Sequence, residues 1–439
     1  MVMLAERQLT LDTLDITDTA LYVKNGYPWA AWDLLRKEAP VFWYQRPGFE
    51  PFWAITKYED IGFISRNPQL FSNAQRLRLT DIDAVEIGQR TRERSAQKYG
   101  HSASAPPDLV FMDPPMHRDF RSITSKKFTP KAMMQLDKHF DALAKTYVGD
   151  FAKVLVDRLP TSGSIDFVHE LACKLPVAAI CEMADVPRED WDKIFHWTEI
   201  LVGAGDPEYQ VAGETREETL RRNSREWDDY TIAMIENRRE VGCTGDDLVS
   251  MLARAEIDGE QLTQRELLNY ITLLLAAGNE TTRNAMTGGV QALLEHPDQL
   301  QKLVDNPSLV DSAVEEILRW TSVVIQFART ALEDVEIRGQ LIRKGETIGM
   351  WYPSANRDED IFERPYNFDI TRDPNPHYAF GGYGEHFCLG ANLARWELRV
   401  MFRELIPLLP KMELAGKPEL VAQSLHLGGI KHLPVRLRG

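Results

Sequence analysis

His377-Tyr378-Ala379-Phe380-Gly381-Gly382-Tyr383-Gly384-Glu385-His386-Phe387-Cys388-Leu389-Gly390 is a glycine-rich segment that runs into a helix-forming stretch beginning at Ala391. Its cysteine therefore stands just before a helix N-terminus. The positive end of a helix and its free backbone N–H groups stabilise a thiolate, so this position is expected to lower the thiol pKa and suit the sulfur to binding iron. The glycines would let the loop lie close beneath a flat ring. An isolated cysteine is more commonly a buried structural residue. The neighbouring glycines and the flanking His386 argue against that reading here.

Two further stretches take their meaning from this loop. Thr263-Gln264-Arg265-Glu266 has the form of a capping box, and apolar residues continue through Leu273, Leu274, Leu275 and Ala277, so a long buried helix is predicted to start there. It is interrupted by Ala277-Gly278-Asn279-Glu280-Thr281-Thr282. An interior glycine costs about 1 kcal/mol relative to alanine, and polar side chains in an apolar helix ask for a reason. One reading has Gly278 admitting a flat cofactor or diatomic ligand while Glu280 and Thr281 relay protons. Alone, the segment reads more readily as a solvated turn. Downstream, Glu316 and Arg319 lie three apart and share a helix face, where an ion pair is easy but ordinarily superficial.

Composition narrows the class. The 439 residues are 44% apolar and 27% charged, proportions of a folded globular chain long enough to enclose a deep cavity. Fifty-one basic against 66 acidic residues leave a net charge of −15, which opposes a nucleic-acid role. Cys173, Cys181, Cys243 and Cys388 are far apart and form no CxxC pair, which fits a reducing cytoplasm. Met1 to Asp18 has neither signal-peptide nor membrane-anchor character, and the apolar run Ile271 to Ala277 is too short to span a bilayer.

Helical periodicity dominates after residue 130, as in Ala132 to Val148 and Arg188 to Leu201. Strand signals cluster at Val41 to Tyr44 and Phe52 to Ile55, a hairpin around Pro47 and Gly48, and again from Val323 to Ile342. Asn73 to Pro107 is polar, with helix-like and loop-like parts, and nothing reads as a linker. The expected fold class is mainly α with small β-sheets, one domain over residues 1–439. Its β-rich parts would lie at about 20–75 and 323–345, and its helical core at about 130–320 and 390–410.

With these motifs in order, the sequence resembles the cytochrome P450 family over nearly its whole length. The resemblance rests on Ala277-Gly278-Asn279-Glu280-Thr281-Thr282, on Glu316-x-x-Arg319, and on the Gly-x-Gly-x-His-x-Cys-x-Gly pattern from Gly382 to Gly390. It implies a fold with haem b between the long helix and the cysteine-side helix, and Cys388 as axial thiolate. Thr281 would hold iron-bound peroxide and Glu280 would help supply its protons. His117 and Arg121, in Asp113-Pro114-Pro115-Met116-His117-Arg118-Asp119-Phe120-Arg121, together with Arg329 and His386, would bind the haem propionates, for which arginine is well shaped. Gly278, Phe380 and Gly382 would lie against the cofactor. Glu316 and Arg319 become a buried structural pair behind the haem, near Asn356-Arg357. The sequence departs from the family pattern at Gly381, where a phenylalanine is usual and Phe380 stands one place earlier, and at Val323, where a proline often stands.

The resemblance further implies a monooxygenase driven by NAD(P)H through a ferredoxin and its reductase, because no dinucleotide fingerprint or fused flavin domain is present. Lys126, Lys127, Arg395 and Arg399 are candidates for a basic docking patch. Leu274, Ala277, Val324, Ile325, Phe327 and Leu425 to Leu427 would line a largely apolar pocket. Within the family the chain is similar to members that oxidise sterols, methyl-branched lipids and terpenoids, through Phe195-His196-Trp197, Asp206-Pro207-Glu208-Tyr209 and Ser354-Ala355-Asn356-Arg357-Asp358-Glu359. The expectation is a cytoplasmic monomer that hydroxylates a steroid or terpenoid with O2. The alternatives are a peroxide-driven haem enzyme, for which Glu280 and Thr281 would be dispensable, and a haem sensor, which needs an output domain.

Overall fold

The computed structural model describes residues 9–79, 108–203, 206–421 and 424–438, with a few positions between 82 and 97. Most of the polar stretch Asn73 to Pro107 lies outside the described residues. Helices dominate beyond residue 108, and the strands gather into small sheets.

The largest sheet begins with the hairpin. Val41–Tyr44 and Phe52–Ile55 are short runs of aromatic and β-branched residues, and they pair antiparallel with Val41 opposite Ile55 and Tyr44 opposite Phe52. Gly48, at φ +85°, supplies the left-handed residue of the connection. Phe52–Ile55 then pairs in parallel with Thr347–Trp351, which pairs antiparallel with Gln326–Ala331; Phe71–Ser72 closes that edge. The register sets Arg329 opposite Ile348 and Phe327 opposite Met350.

Among the helices, Gln264–Glu295 is the central one. Both capping-box bonds form: Glu266 N–H donates to Thr263 Oγ1 at 3.3 Å, and Thr263 N–H donates to Glu266 Oε2 at 2.8 Å. Its 32 residues span roughly 48 Å at the usual rise. Ile271, Leu275, Met286 and Val290 are buried in a core shared with Val314 and Ile317 of Val310–Thr321 and with Leu398, Met401 and Phe402 of Ala391–Leu405. Gly289 shows how close these helices come. A Cβ there would stand 2.7 Å from Ile317 Cγ2 and 2.8 Å from Phe402 Cζ, so glycine is needed for the three to meet.

The Glu316 and Arg319 side chains are completely buried. Arg319 Nε donates to Glu316 Oε2 at 2.8 Å and Nη2 to Oε1 at 2.7 Å, while Nη1 reaches the carbonyls of Asn356 and Pro365. Glu316 also accepts from Arg372 Nε at 3.1 Å and from the Asp369 N–H at 2.9 Å. Every strong donor and acceptor here has a partner, which a charge this deep requires. The helix ends at Ser322 in the left-handed region, φ +43°, so the chain turns into Val323 without a proline. No helix among the described residues is long and apolar enough to cross a membrane.

Candidate active site

The central helix and the cysteine loop face each other across a cavity of about 970 Å³. Cys388 is an exposed residue that borders this cavity. The Cys388 N–H donates to the Phe380 carbonyl at 3.1 Å, closing the loop, and Gly381, at φ +86°, makes the turn. Phe380 lines the cavity and carries the Arg395 guanidinium 4.5 Å from its ring centroid. Burial pushes the Cys388 thiol pKa up, although the Gly390 N–H, Arg121 and Arg395 pull it down. This corrects the expectation of a lowered pKa: the helix end alone does not outweigh desolvation, and a coordinated cation is what ionises such a thiol.

Three glycines of the site are also required by protein packing. Gly382 and Gly384 press against Ser65 at the end of the helix Tyr58–Arg66, where a Cβ on either would collide with it. On the central helix, a Cβ at Gly278 would meet Ile180 Cγ1 at 3.2 Å. Gly278 and Gly382 both border the cavity. Protein packing therefore gives a reason for their missing side chains.

Opposite the cysteine, Ala277, Gly278, Glu280 and Thr281 border the cavity. Thr281 Oγ1 donates to the Ala277 carbonyl at 2.9 Å, one turn back. Glu280 is buried beside Arg283, whose Nη2 donates to Glu280 Oε2 and whose Nη1 donates to Glu199 Oε1 at 3.0 Å. One guanidinium thus serves two buried carboxylates. Burial pushes both carboxyl pKa values up against the pull of Arg283, that of Glu199 to about 7. Glu280 Oε1 is buried and has no hydrogen-bond partner among the described residues, so this carboxyl is placed to hold a proton.

On the same cavity His117, Arg121, Arg329 and His386 converge. The two imidazoles lie 4.0 Å apart between ring centroids, and His117 Nδ1 and His386 Nε2 are buried without partners among the described residues. Burial drives their pKa values down to about 4 and about 2. Among the described residues Arg329 donates only to the neighbouring Ala328 carbonyl, and Arg121 to the Phe387 carbonyl at 2.7 Å. Desolvation lowers both arginine pKa values, and among the described residues neither has a carboxylate partner. Two arginines and two neutral imidazoles with unmet bonds fit a bound group that brings its own carboxylates.

Leu274, Val324, Phe327 and Leu427 also line the cavity; Val324 and Leu427 meet as an isolated antiparallel bridge. Ile325 does not line it. It packs in the core with Trp32 and Trp351, because successive residues of an extended chain point to opposite faces. The wall is also less uniformly apolar than the sequence suggested. His426, a half-buried imidazole that desolvation keeps neutral, sits with Nδ1 3.0 Å from the Gln326 carbonyl and its ring 4.8 Å from Phe327. Arg78, Asp108 and Arg216 line the cavity as well. Burial holds the Asp108 carboxyl at about 6 despite Arg78. These positions carry no motif, and only His426 falls within a stretch that the sequence assigns to the pocket.

Of the basic residues expected to form a docking patch, Arg395 is bound by Glu315 through Nε at 2.7 Å and Nη2 at 2.9 Å, Arg399 by Asp311 at 2.9 Å, and Lys127 by Asp246. They do not form a free cationic patch.

A mainly helical fold with a cysteine facing a long helix across such a cavity is that of the haem-thiolate enzymes. Residues 83–408 match the family model for cytochrome P450. The chain is 40% identical over 435 residues to a methyl-branched lipid omega-hydroxylase of Mycobacterium tuberculosis, covering 97% of this chain and 94% of the relative. It is 37% identical over 427 residues to a steroid C26-monooxygenase of Rhodococcus jostii, covering 96% and 84%. Among solved structures it resembles a Mycobacterium marinum cytochrome P450 in complex with pseudoionone, with a TM-score of 0.85, 32% identity, and coverage of 98% and 99%. A Bacillus megaterium P450 in complex with corticosterone gives a TM-score of 0.73, 31% identity, and coverage of 93% and 98%. The chain belongs to the cytochrome P450 family and is a P450 monooxygenase, and that family implies haem b.

Proposed function

We propose that this P450 hydroxylates a C–H bond of a bulky, largely apolar substrate, a steroid or terpenoid, with electrons from NAD(P)H passed through a ferredoxin and its reductase. The observation that carries this reading is the cavity of about 970 Å³, with Cys388 on one side and Thr281 on the other. That space accommodates a macrocycle together with a substrate of several rings. Haem bound through Cys388 supplies reductive activation of O2 and transfer of one oxygen atom.

The protein's own groups divide the remaining work. Arg121, Arg329, His117 and His386 hold the propionates and thereby orient the macrocycle. Thr281 Oγ1 can exchange its bond to Ala277 for one across the cavity, and Glu280 Oε1 holds the proton that follows. Arg283 and Glu199 keep the Glu280 carboxyl in place. Leu274, Ala277, Val324, Phe327 and Leu427 exclude water and hold the substrate by shape, while His426 offers a single polar point. An acid beside an alcohol favours reduction of O2 over peroxide-driven chemistry, which needs neither.

A panel of steroids, terpenoids and methyl-branched lipids tests the substrate class. Tight binders are expected to produce the low-to-high-spin shift and, with a ferredoxin, its reductase and NADPH, a hydroxylated product. A panel that leaves the spin state unchanged while small polar ligands shift it would overturn the substrate assignment.

A further inference from the structure

We propose that Asp166, His169 and His432 form a site for one divalent transition-metal ion of the zinc class, outside the catalytic cavity. Their ligand atoms all lie within 4.8 Å of one another. None of the three lines the cavity. His432 Nδ1 is 2.7 Å from Asp166 Oδ2, and His169 Nε2 is 3.9 Å from the same oxygen. Donors about a tetrahedral zinc at 2.0–2.1 Å stand roughly 3.3 Å apart. Small side-chain movements bring both spacings to that value.

The surroundings are those of a built metal site. Ligating histidines commonly donate their second ring N–H to a carboxylate, which fixes the tautomer and turns the other nitrogen's lone pair towards the ion. His432 Nε2 lies 2.7 Å from Glu208 Oε1, so an ion that displaces the proton between Nδ1 and Asp166 Oδ2 would find the Nδ1 lone pair turned towards it. Glu208 is itself fixed through its other oxygen by Lys431 Nζ at 2.8 Å, and Lys431 also bonds Asp206. Asp166 Oδ1 accepts the N–H groups of Val168 at 3.1 Å and Leu433 at 3.0 Å, so Oδ2 is presented to the two imidazoles. Glu208 belongs to the Asp206-Pro207-Glu208-Tyr209 motif, to which the oxygen chemistry assigns no part.

The three donors come from separate pieces of chain: the strand Ile165–Asp166, the π-helical turn Val168–Ala172 and the strand Ile430–His432. That last strand is tied to the central helix, where the Ile430 N–H donates to Asn284 Oδ1 at 3.2 Å. A bound ion would therefore brace a π-turn and a C-terminal strand against the flank of the helix that carries Glu280. Two imidazoles and one carboxylate suit a borderline ion such as Zn2+ and not Mg2+, which prefers oxygen.

Tag-free, haem-loaded enzyme freed of metal with a chelator and titrated calorimetrically with ZnCl2 tests this. One zinc per chain is expected, undisturbed by excess Mg2+. His169→Gln and His432→Gln should each weaken binding by at least about tenfold, and Glu208→Gln by about 10- to 100-fold with unchanged stoichiometry. Haem spectra of the variants report their folding. If wild type takes up no zinc, or the double variant His169→Gln/His432→Gln binds it as wild type does, the site does not exist. Anomalous diffraction at the zinc edge decides independently of any variant: an ion between these three side chains supports the site, and an ion elsewhere refutes it.

Discussion

At the scale of single residues, the acid and the alcohol on the central helix are separable by experiment. Among the described residues the Thr281 hydroxyl has one hydrogen bond, to its own helix, so its removal leaves no buried partner stranded there. Thr281→Ala is expected to keep haem and fold while diverting reducing equivalents to hydrogen peroxide, measured as product formed per NADPH consumed. Product formation as tightly coupled as in wild type contradicts the role given to this hydroxyl. Glu397 presents the opposite case. It is completely buried, both of its oxygens lack partners among the described residues, and desolvation pushes its pKa well above normal. The folded state therefore keeps a proton that the unfolded state releases, so stability is greatest below the unfolded-state pKa and falls as pH rises through the interval up to the folded one. Glu397→Met removes both the unmet bonds and that slope. It should raise stability at neutral pH by about 1–3 kcal/mol and flatten the fall of Tm as pH rises above the ordinary carboxylate range. A Tm that falls equally steeply with pH in variant and wild type sinks this account.

At the scale of elements, what the sequence disclosed and what it hid divide along local against distant contacts. The hairpin strands Val41–Tyr44 and Phe52–Ile55 and the capping box at Thr263 are where local propensity placed them, because each is decided within a few residues. Ile325 was assigned to the wrong wall because a composition of apolar neighbours does not say which face of an extended segment meets the cavity. Arg395 and Arg399 read as free cations because Glu315 and Asp311, which neutralise them, lie far away in the chain. The packing role of Gly278 was hidden because Ile180, which its missing Cβ accommodates, comes from another helix. The buried pair Glu316 and Arg319 was visible as a spacing with Asn356 nearby, but its partners Pro365, Asn367, Asp369, Arg372 and Asn375 were not. Those partners decide the cost of breaking it. Arg319→Leu takes the bidentate partner from a buried carboxylate, leaving it Arg372, Asn375 and the Asp369 N–H, and is expected to lose about 3–5 kcal/mol, seen as loss of soluble, haem-loaded protein on expression. Normal yield and Tm from that variant contradict a locking role.

At the scale of the whole molecule, the balance of charge and its local exception bear on the electron donor. A net charge of −15 repels an acidic partner at long range, so a productive encounter needs a face where cations are free. For the ferredoxin proposed above, the candidate is the depression beside the cysteine loop, lined by Arg66, Arg118, Arg121, Gly384 and Glu385. Arg118 is paired there with Glu385, whereas Arg66 is exposed, and no ion pair to it exists among the described residues. Arg66 ends the helix whose Ser65 packs against Gly382 and Gly384, so a donor seated there lies against the backbone that carries Cys388. Salt screens such steering with a Debye length of about 10 Å at 0.1 M, so its contribution should vanish at high ionic strength. Arg66→Glu is expected to lower the second-order rate of reduction by an acidic ferredoxin about tenfold at low salt. Stopped-flow traces at about 0.5 M salt should bring variant and wild type together, with unchanged kcat at saturating donor. If the rate is unaffected at low salt, the donor docks elsewhere; if the deficit persists at high salt, Arg66 contributes a direct contact rather than a field.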